Sequence, residues 1–147
     1  MSLLSGSNPS QAALLLRLTL GIAAIAHGLM KVFIFTVPGT VAFFGSLGYP
    51  PIVAYLTIAA EIGGGLLLIL GIATRLVALG QIPVLIGAAL VHAGNGWVFS
   101  APNGGWEFPV FWIAALGVQV LLGDGAAALG PKLYGRATGG SRSPVRA

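Results

Sequence analysis

The sequence predicts an all-α integral membrane protein: a four-helix bundle with both termini in the cytoplasm. Three observations carry this prediction. Hydrophobic residues fill 56% of the 147 positions and charged residues only 7%, against roughly 25% charge in a soluble domain. Seven bases and three acids are too few to solvate a globular surface. Four windows approach the length of about 20 apolar residues that a helix needs to cross a bilayer, and the bases crowd toward one side of them.

The first window runs from about residue 11 to 35 and holds Arg17, His27 and Lys31. The second, about 51–73, contains Glu61 within "AAEIGGGLLLILGIATR". The third, about 75–92, contains Gln81 and Pro83, and the fourth, about 106–122, contains Gln119. None alternates polar and apolar residues as barrel strands do, so helices are expected. Spans two and three meet in "GIATR", a turn short enough to make them an antiparallel hairpin. Between spans one and two, "TVAFFGSL" predicts a short interfacial helix that dips Phe43 and Phe44 into lipid. Between spans three and four, "AGNGWVFSAPNGGW" is rich in turn formers and carries two of the three tryptophans. Glycines on spans two and three (Gly63, Gly64, Gly65, Gly80, Gly87) fit close helix packing, which in lipid takes over from the hydrophobic effect.

Arg17, Arg75 and four bases of the C-terminal tail share one side, and Lys31 stands alone on the other. The positive-inside bias then puts both termini in the cytoplasm, with Arg17 and Arg75 as topology anchors touching lipid headgroups. Residues 1–130 read as the four-span domain and 131–147 as a basic, flexible cytoplasmic tail. Although the net charge is +4, its place in that tail marks topology and argues against nucleic-acid binding. The absence of cysteine excludes disulfides, thiolate metal sites, Fe–S clusters and covalently attached haem. No metal site is expected.

The polar residues of the spans gather toward the outer face. Glu61 lies ten residues into its span, about 15 Å deep, where an ionised carboxylate costs roughly 2.5–3.5 kcal/mol by insertion scales. It is therefore expected to face the bundle interior, with the small residues around it leaving room for a partner side chain, a water or a ligand. His27 sits one turn from Lys31 on the same helix face, while His92 closes span three and Glu107 opens span four on that side. Glu61, His27 and Glu107 are the candidate catalytic residues. Lys31, His92, Asn95, Trp97 and Trp106 are the candidate ligand-binding residues. Gln81 and Gln119 are placed at similar depth in the inner half.

Several stretches resemble the DoxX family of small bacterial membrane proteins, over about residues 14–129. They are "RLTLGIAAIAHGLMK", "FFGSLGYP", "AAEIGGGLLLILGIATR" and "GGWEFPVFWIAALGVQVLLGDG". The most specific element is the pattern Glu61, Gly64, Gly65, Leu70, Gly71, Thr74, Arg75, supported by His27-Gly28 with Lys31 and by Trp106-Glu107. The resemblance implies a four-helix protein of the bacterial inner membrane, related to the membrane subunit of a thiosulfate:quinone oxidoreductase. Other relatives belong with oxidoreductase systems that handle thiols or oxidative stress.

Four functions compete. In a quinone-interacting redox subunit, His27, Lys31 and His92 would donate to the quinone oxygens while Glu61 and Glu107 exchange protons. A non-catalytic membrane anchor or partner of a soluble or membrane redox enzyme would explain the thin inventory of three acids and two histidines. A small proton-coupled transporter would use the mid-membrane carboxylate, and with four spans it would act as a homo-oligomer. Haem b held by His27 and His92 is the weakest of the four, since His92 lies near the surface. Whether the chain is itself an enzyme stays open at this point.

Overall fold

The computed structural model describes residues 8–138. Every regular element among them is helical. Helix α1 (Pro9–Leu29) passes into a π-helical turn (Met30–Ile34), and α2 (Val37–Ser46) follows. Next come α3 (Pro51–Leu70), α4 (Thr74–His92) with a 3-10 turn at Ala93–Asn95, α5 (Glu107–Leu122) and α6 (Gly130–Thr138). Three apolar helices are long enough to cross a membrane: Pro9–Ile34, Pro51–Leu70 and Thr74–Asn95. The fourth expected span is shorter, since α5 has 16 residues, about 24 Å at the helical rise.

Local chemistry sets the boundaries. Asn8 caps α1 by accepting from the Gln11 N–H, and Pro9 follows at the first helical position, where its missing donor costs nothing. Pro51 opens α3 in the same way. Gly71 closes it in the left-handed conformation (φ 66°), with the Gly71 and Ile72 N–H groups turned back onto the Leu68 and Leu67 carbonyls. The short helix expected at "TVAFFGSL" is α2, capped by Thr36, whose hydroxyl accepts from the Gly39 N–H.

Helices α1, α3, α4 and α5 pack in a ring, with α1 on α3 the most extensive contact and α5 closing back on α1. Two glycines set the α1–α3 approach: a Cβ on Gly21 would stand 2.7 Å from the Gly65 carbonyl oxygen, and one on Gly65 2.7 Å from that of Gly21. The core between the four helices is Leu20, Ala24, Leu68, Ala78, Leu85, Trp112 and Leu116. Polarity is inverted relative to a soluble protein. Leu15, Ile22, Phe33, Leu56, Leu76, Leu90, Phe111 and Leu121 point outward, whereas Arg17, Thr74, Gln81 and Gln119 are buried. Such a surface belongs in a lipid bilayer, and the chain is a multi-pass membrane protein.

The bundle has two unlike ends. The loop end carries the close of α1, α2 and the 93–106 connection. The turn end carries the 71–73 turn and the segment 123–130. There the Leu129 and Gly130 N–H groups bond the Leu70 and Gly71 carbonyls, and the Ala126 N–H bonds Ser10. Residues 131–138, read as the start of a flexible tail, lie in helix α6, with Lys132, Leu133 and Tyr134 exposed. The remainder of that tail, 139–147, lies outside the described residues.

Candidate functional site

Lys31 and Glu61 form an ion pair across α1 and α3. The Lys31 ammonium reaches both Glu61 oxygens, Nζ to Oε1 at 2.7 Å and to Oε2 at 2.8 Å. The side chains are 20% and 11% exposed, so the pair sits under a thin cover rather than in the dry core. It is the one ion pair among the described residues. Lys31 belongs to the π-helical turn, where Phe35 N–H reaches back five residues to Met30. The widened turn turns the Lys31 carbonyl aside, and the buried Thr40 hydroxyl of α2 donates to it at 2.9 Å. Such π turns recur at functional sites. Nothing in the apolar pattern of "LMKVFIF" separates it from ordinary helix, so the sequence reading missed both the π turn and Thr40.

Glu61 takes the interior place expected of it, but the room beside it is used differently. Gly64 receives Gln81: a Cβ there would stand 2.6 Å from Gln81 Nε2. Gly65 receives the α1 backbone, and Gly28 opposes Glu61 and Ile62. These glycines admit neighbouring helices, not a ligand. Gln81 therefore lies beside Ala60 and Gly64 in mid-bundle, while Gln119 donates to the Gly123 carbonyl at the turn end. The two glutamines do not share the depth assigned from sequence.

His27 lies within electrostatic reach of Glu61 but bonds elsewhere. Its Nδ1 is 2.9 Å from the Ala23 carbonyl, which requires Nδ1 to carry the proton and leaves Nε2 of the neutral ring as an acceptor. The ring stacks on Phe108 at 6.0 Å and meets Trp112 edge-on at 4.9 Å. His27 thus spends its Nδ1 position on its own helix, and Nε2 is the ring nitrogen left for a ligand. The aromatic partners come from α5, at Phe108 and Trp112, four residues apart.

The rest of the expected cluster forms a second, separate group. His92 Nδ1 faces the Asn103 carbonyl at 3.1 Å, and Asn95 donates to the Asn103 and Gly104 carbonyls. Glu107 accepts from the Phe99 N–H at 3.0 Å, and Trp97 meets Trp106 edge-on at 4.4 Å. These contacts fold the 93–106 connection on itself. His92 and His27 are held by different groups, and no set of three metal-ligating side chains gathers among the described residues.

The two arginines part company. Arg75 is exposed near Gly123, as an anchor would be. Arg17 is 0% exposed, so it cannot touch headgroups. Its Nη2 donates to the Ala126 carbonyl at 3.0 Å, Asp124 lies within electrostatic reach, and Nε and Nη1 have no hydrogen-bond partner among the described residues. Arg17 shares its helix face with Leu20, Gly21, Ala24 and Gly28, a 3-4-7-11 spacing that was available in the sequence and points inward.

The family model for DoxX matches residues 12–94, from α1 through α4. The chain belongs to the DoxX family. The match includes Arg17, His27, Lys31, Glu61 and Thr74, and it stops before the second group's Glu107. A protein of Bacillus subtilis (strain 168) named "Putative oxidoreductase CatD" is 44% identical over 77 residues. That alignment covers 52% of this chain and 56% of the relative, so the DoxX chain described here spans about half the length of the relative it matches. No solved structure matches it.

Proposed function

We propose that this DoxX protein is a quinone-interacting membrane subunit of an oxidoreductase system in the bacterial inner membrane. In this reading α5 is a fourth span, both termini are cytoplasmic and the loop end faces outward, as the placement of the bases favours. The observation that carries the proposal is the Lys31–Glu61 pair beside His27, an ionisable group of three at partial depth in a bundle that is otherwise apolar there. Intramembrane charge is expensive and is usually retained for a task.

The residues fit a quinone head. Lys31 spends two of its three protons on Glu61 and keeps one for a carbonyl oxygen. His27 presents Nε2, the partner that a quinol hydroxyl needs, and Phe108 and Trp112 supply flat apolar walls. Reduction of a bound quinone to the quinol takes two electrons, which a redox centre of a partner protein would supply, and two protons. Lys31 and His27 would orient its oxygens, and Glu61 would relay the two protons in turn from the loop-end face. Purified protein should bind a short-chain quinone, with affinity falling about tenfold or more in Glu61→Gln and in His27→Ala. Unchanged affinity in both removes these residues from the site.

One observation favours a second reading. Lys31 reaches both Glu61 oxygens, so the pair also serves as a latch between α1 and α3, and the chain would then be a non-catalytic anchor for a redox enzyme. Capture of a stable partner together with normal complementation by Glu61→Gln supports the anchor over the quinone subunit.

A further inference from the structure

A groove of about 400 Å³ opens on the other side of Phe108, between the 93–106 connection and the outward face of α5. Four aromatic side chains line it: Trp97, Phe99, Phe108 and Phe111, with Glu107 among them. The walls are fixed rather than loose. Trp97 is braced edge-on by Trp106, Phe108 is braced by His27 and Trp112, and the Phe99 backbone is tied to Glu107 Oε1. That bond uses one carboxylate oxygen and leaves Oε2 without a hydrogen-bond partner among the described residues. No cation among them pairs with Glu107.

Four aromatic rings beside one carboxylate that has no cation partner among the described residues make an electron-rich groove. The ring faces carry the negative end of the aromatic quadrupole, and the half-exposed carboxylate beside them adds a full charge. A metal ion would need more oxygen ligands than a single carboxylate supplies. An ionised carboxylate offers a quinone carbonyl no hydrogen. What such a cage recognises is an alkylated ammonium, by cation–π contact with the rings and charge pairing with the acid.

We propose that this groove is a second site, sharing only the Phe108 wall with the Lys31–Glu61–His27 group, and that it binds an amphiphilic organic cation bearing a quaternary or alkylated ammonium. Trp97, Phe108 and Phe111 hold the ammonium methyls, and Glu107 supplies the counter-charge. The lipid-facing opening admits the apolar remainder of the ligand.

The test uses the full chain in a neutral maltoside detergent, titrated with benzyltrimethylammonium and followed by tryptophan fluorescence. Its uncharged carbon isostere, neopentylbenzene, is the control. The cation should bind saturably and at least about tenfold more tightly than the isostere. Glu107→Gln keeps an oxygen for the Phe99 N–H while removing the charge, and Phe111→Leu removes a ring that is 71% exposed and braces nothing in the core. Each should weaken the cation about tenfold and leave quinone affinity unchanged, which separates this site from the one proposed above. Displacement by phosphatidylcholine added to the micelles assigns the ammonium to a lipid headgroup, and no displacement assigns it to a free cation. Equal affinity for cation and isostere, or wild-type affinity in both variants, overturns the proposal.

Discussion

The two ends of the bundle handle buried charge in opposite ways. Toward the loop end, Lys31 and Glu61 meet at 2.7 and 2.8 Å and leave neither charge alone. At the turn end, Arg17 is more deeply buried, yet among the described residues it has one hydrogen bond, to a backbone carbonyl, and Thr74 Oγ1 and Gln119 Oε1 have none. Between them lies the apolar layer of Leu20, Leu68, Ala78 and Leu116. Charge that is paired at a partly open position can exchange a proton or receive a ligand. Charge buried at 0% exposure with a backbone carbonyl as its hydrogen-bond acceptor is placed to hold helices together. The difference teaches which end to probe for chemistry and which for architecture.

Breaking the architecture should give the largest effect. Gly71 sits at φ 66° with the Arg17 guanidinium and the Ala128 side chain packed where a Cβ would go. Gly71→Val should cost about 3 kcal/mol or more, combining left-handed strain with overpacking. Thermal unfolding in detergent measures it, and a near-wild-type midpoint would break the picture of a guanidinium seated on that turn.

The next effect separates the two charges. Removing one partner of a buried pair strands the other, whereas removing both is close to neutral. Glu61→Leu alone should therefore destabilise by about 2 kcal/mol, reduced from the fully buried case because both side chains keep some exposure. Lys31→Met with Glu61→Leu should recover most of that loss. Arg17→Met takes the cation from Asp124, but that carboxylate is half-exposed and keeps its water, so stability should change by less than about 1.5 kcal/mol, as in a volume-conserving swap. If Arg17→Met costs more than Glu61→Leu, the contrast between the two ends is wrong.

The smallest effect belongs to Gly80, and Gly21 is its contrast. Gly80 has nothing within 4 Å of a Cβ position, so Gly80→Ala should be neutral or stabilising by up to about 1 kcal/mol through helix propensity. Gly21→Ala should destabilise by about 1–3 kcal/mol, since its Cβ would meet the α3 backbone. Parallel unfolding curves distinguish them.

How much of this was legible follows from what each residue type can say alone. The positions of α1, α3 and α4 were readable because apolar runs bounded by proline, glycine and a basic turn leave few alternatives in lipid. The inward position of Glu61 was readable because an exposed carboxylate at that depth is too costly. Its partner was not, because Lys31 is thirty residues away and the π turn that aims it leaves no mark in an apolar run. His27, His92 and Glu107 share a depth, and depth alone merged them. The structure separates them because α5 places Phe108 and Trp112 against His27, while the 93–106 connection closes on Glu107 and Asn95. Arg17 was misplaced by a rule about where arginines usually lie, although its helix face already pointed inward.

The most direct test of the central claim is quinone affinity in the double variant Lys31→Met with Glu61→Leu, which removes the ion pair while keeping the α1–α3 contact packed. The account predicts a folded protein, with unfolding near that of wild type, that binds quinone at least about tenfold more weakly. A double variant that binds quinone as tightly as wild type would contradict it and leave the Lys31–Glu61 pair a latch alone.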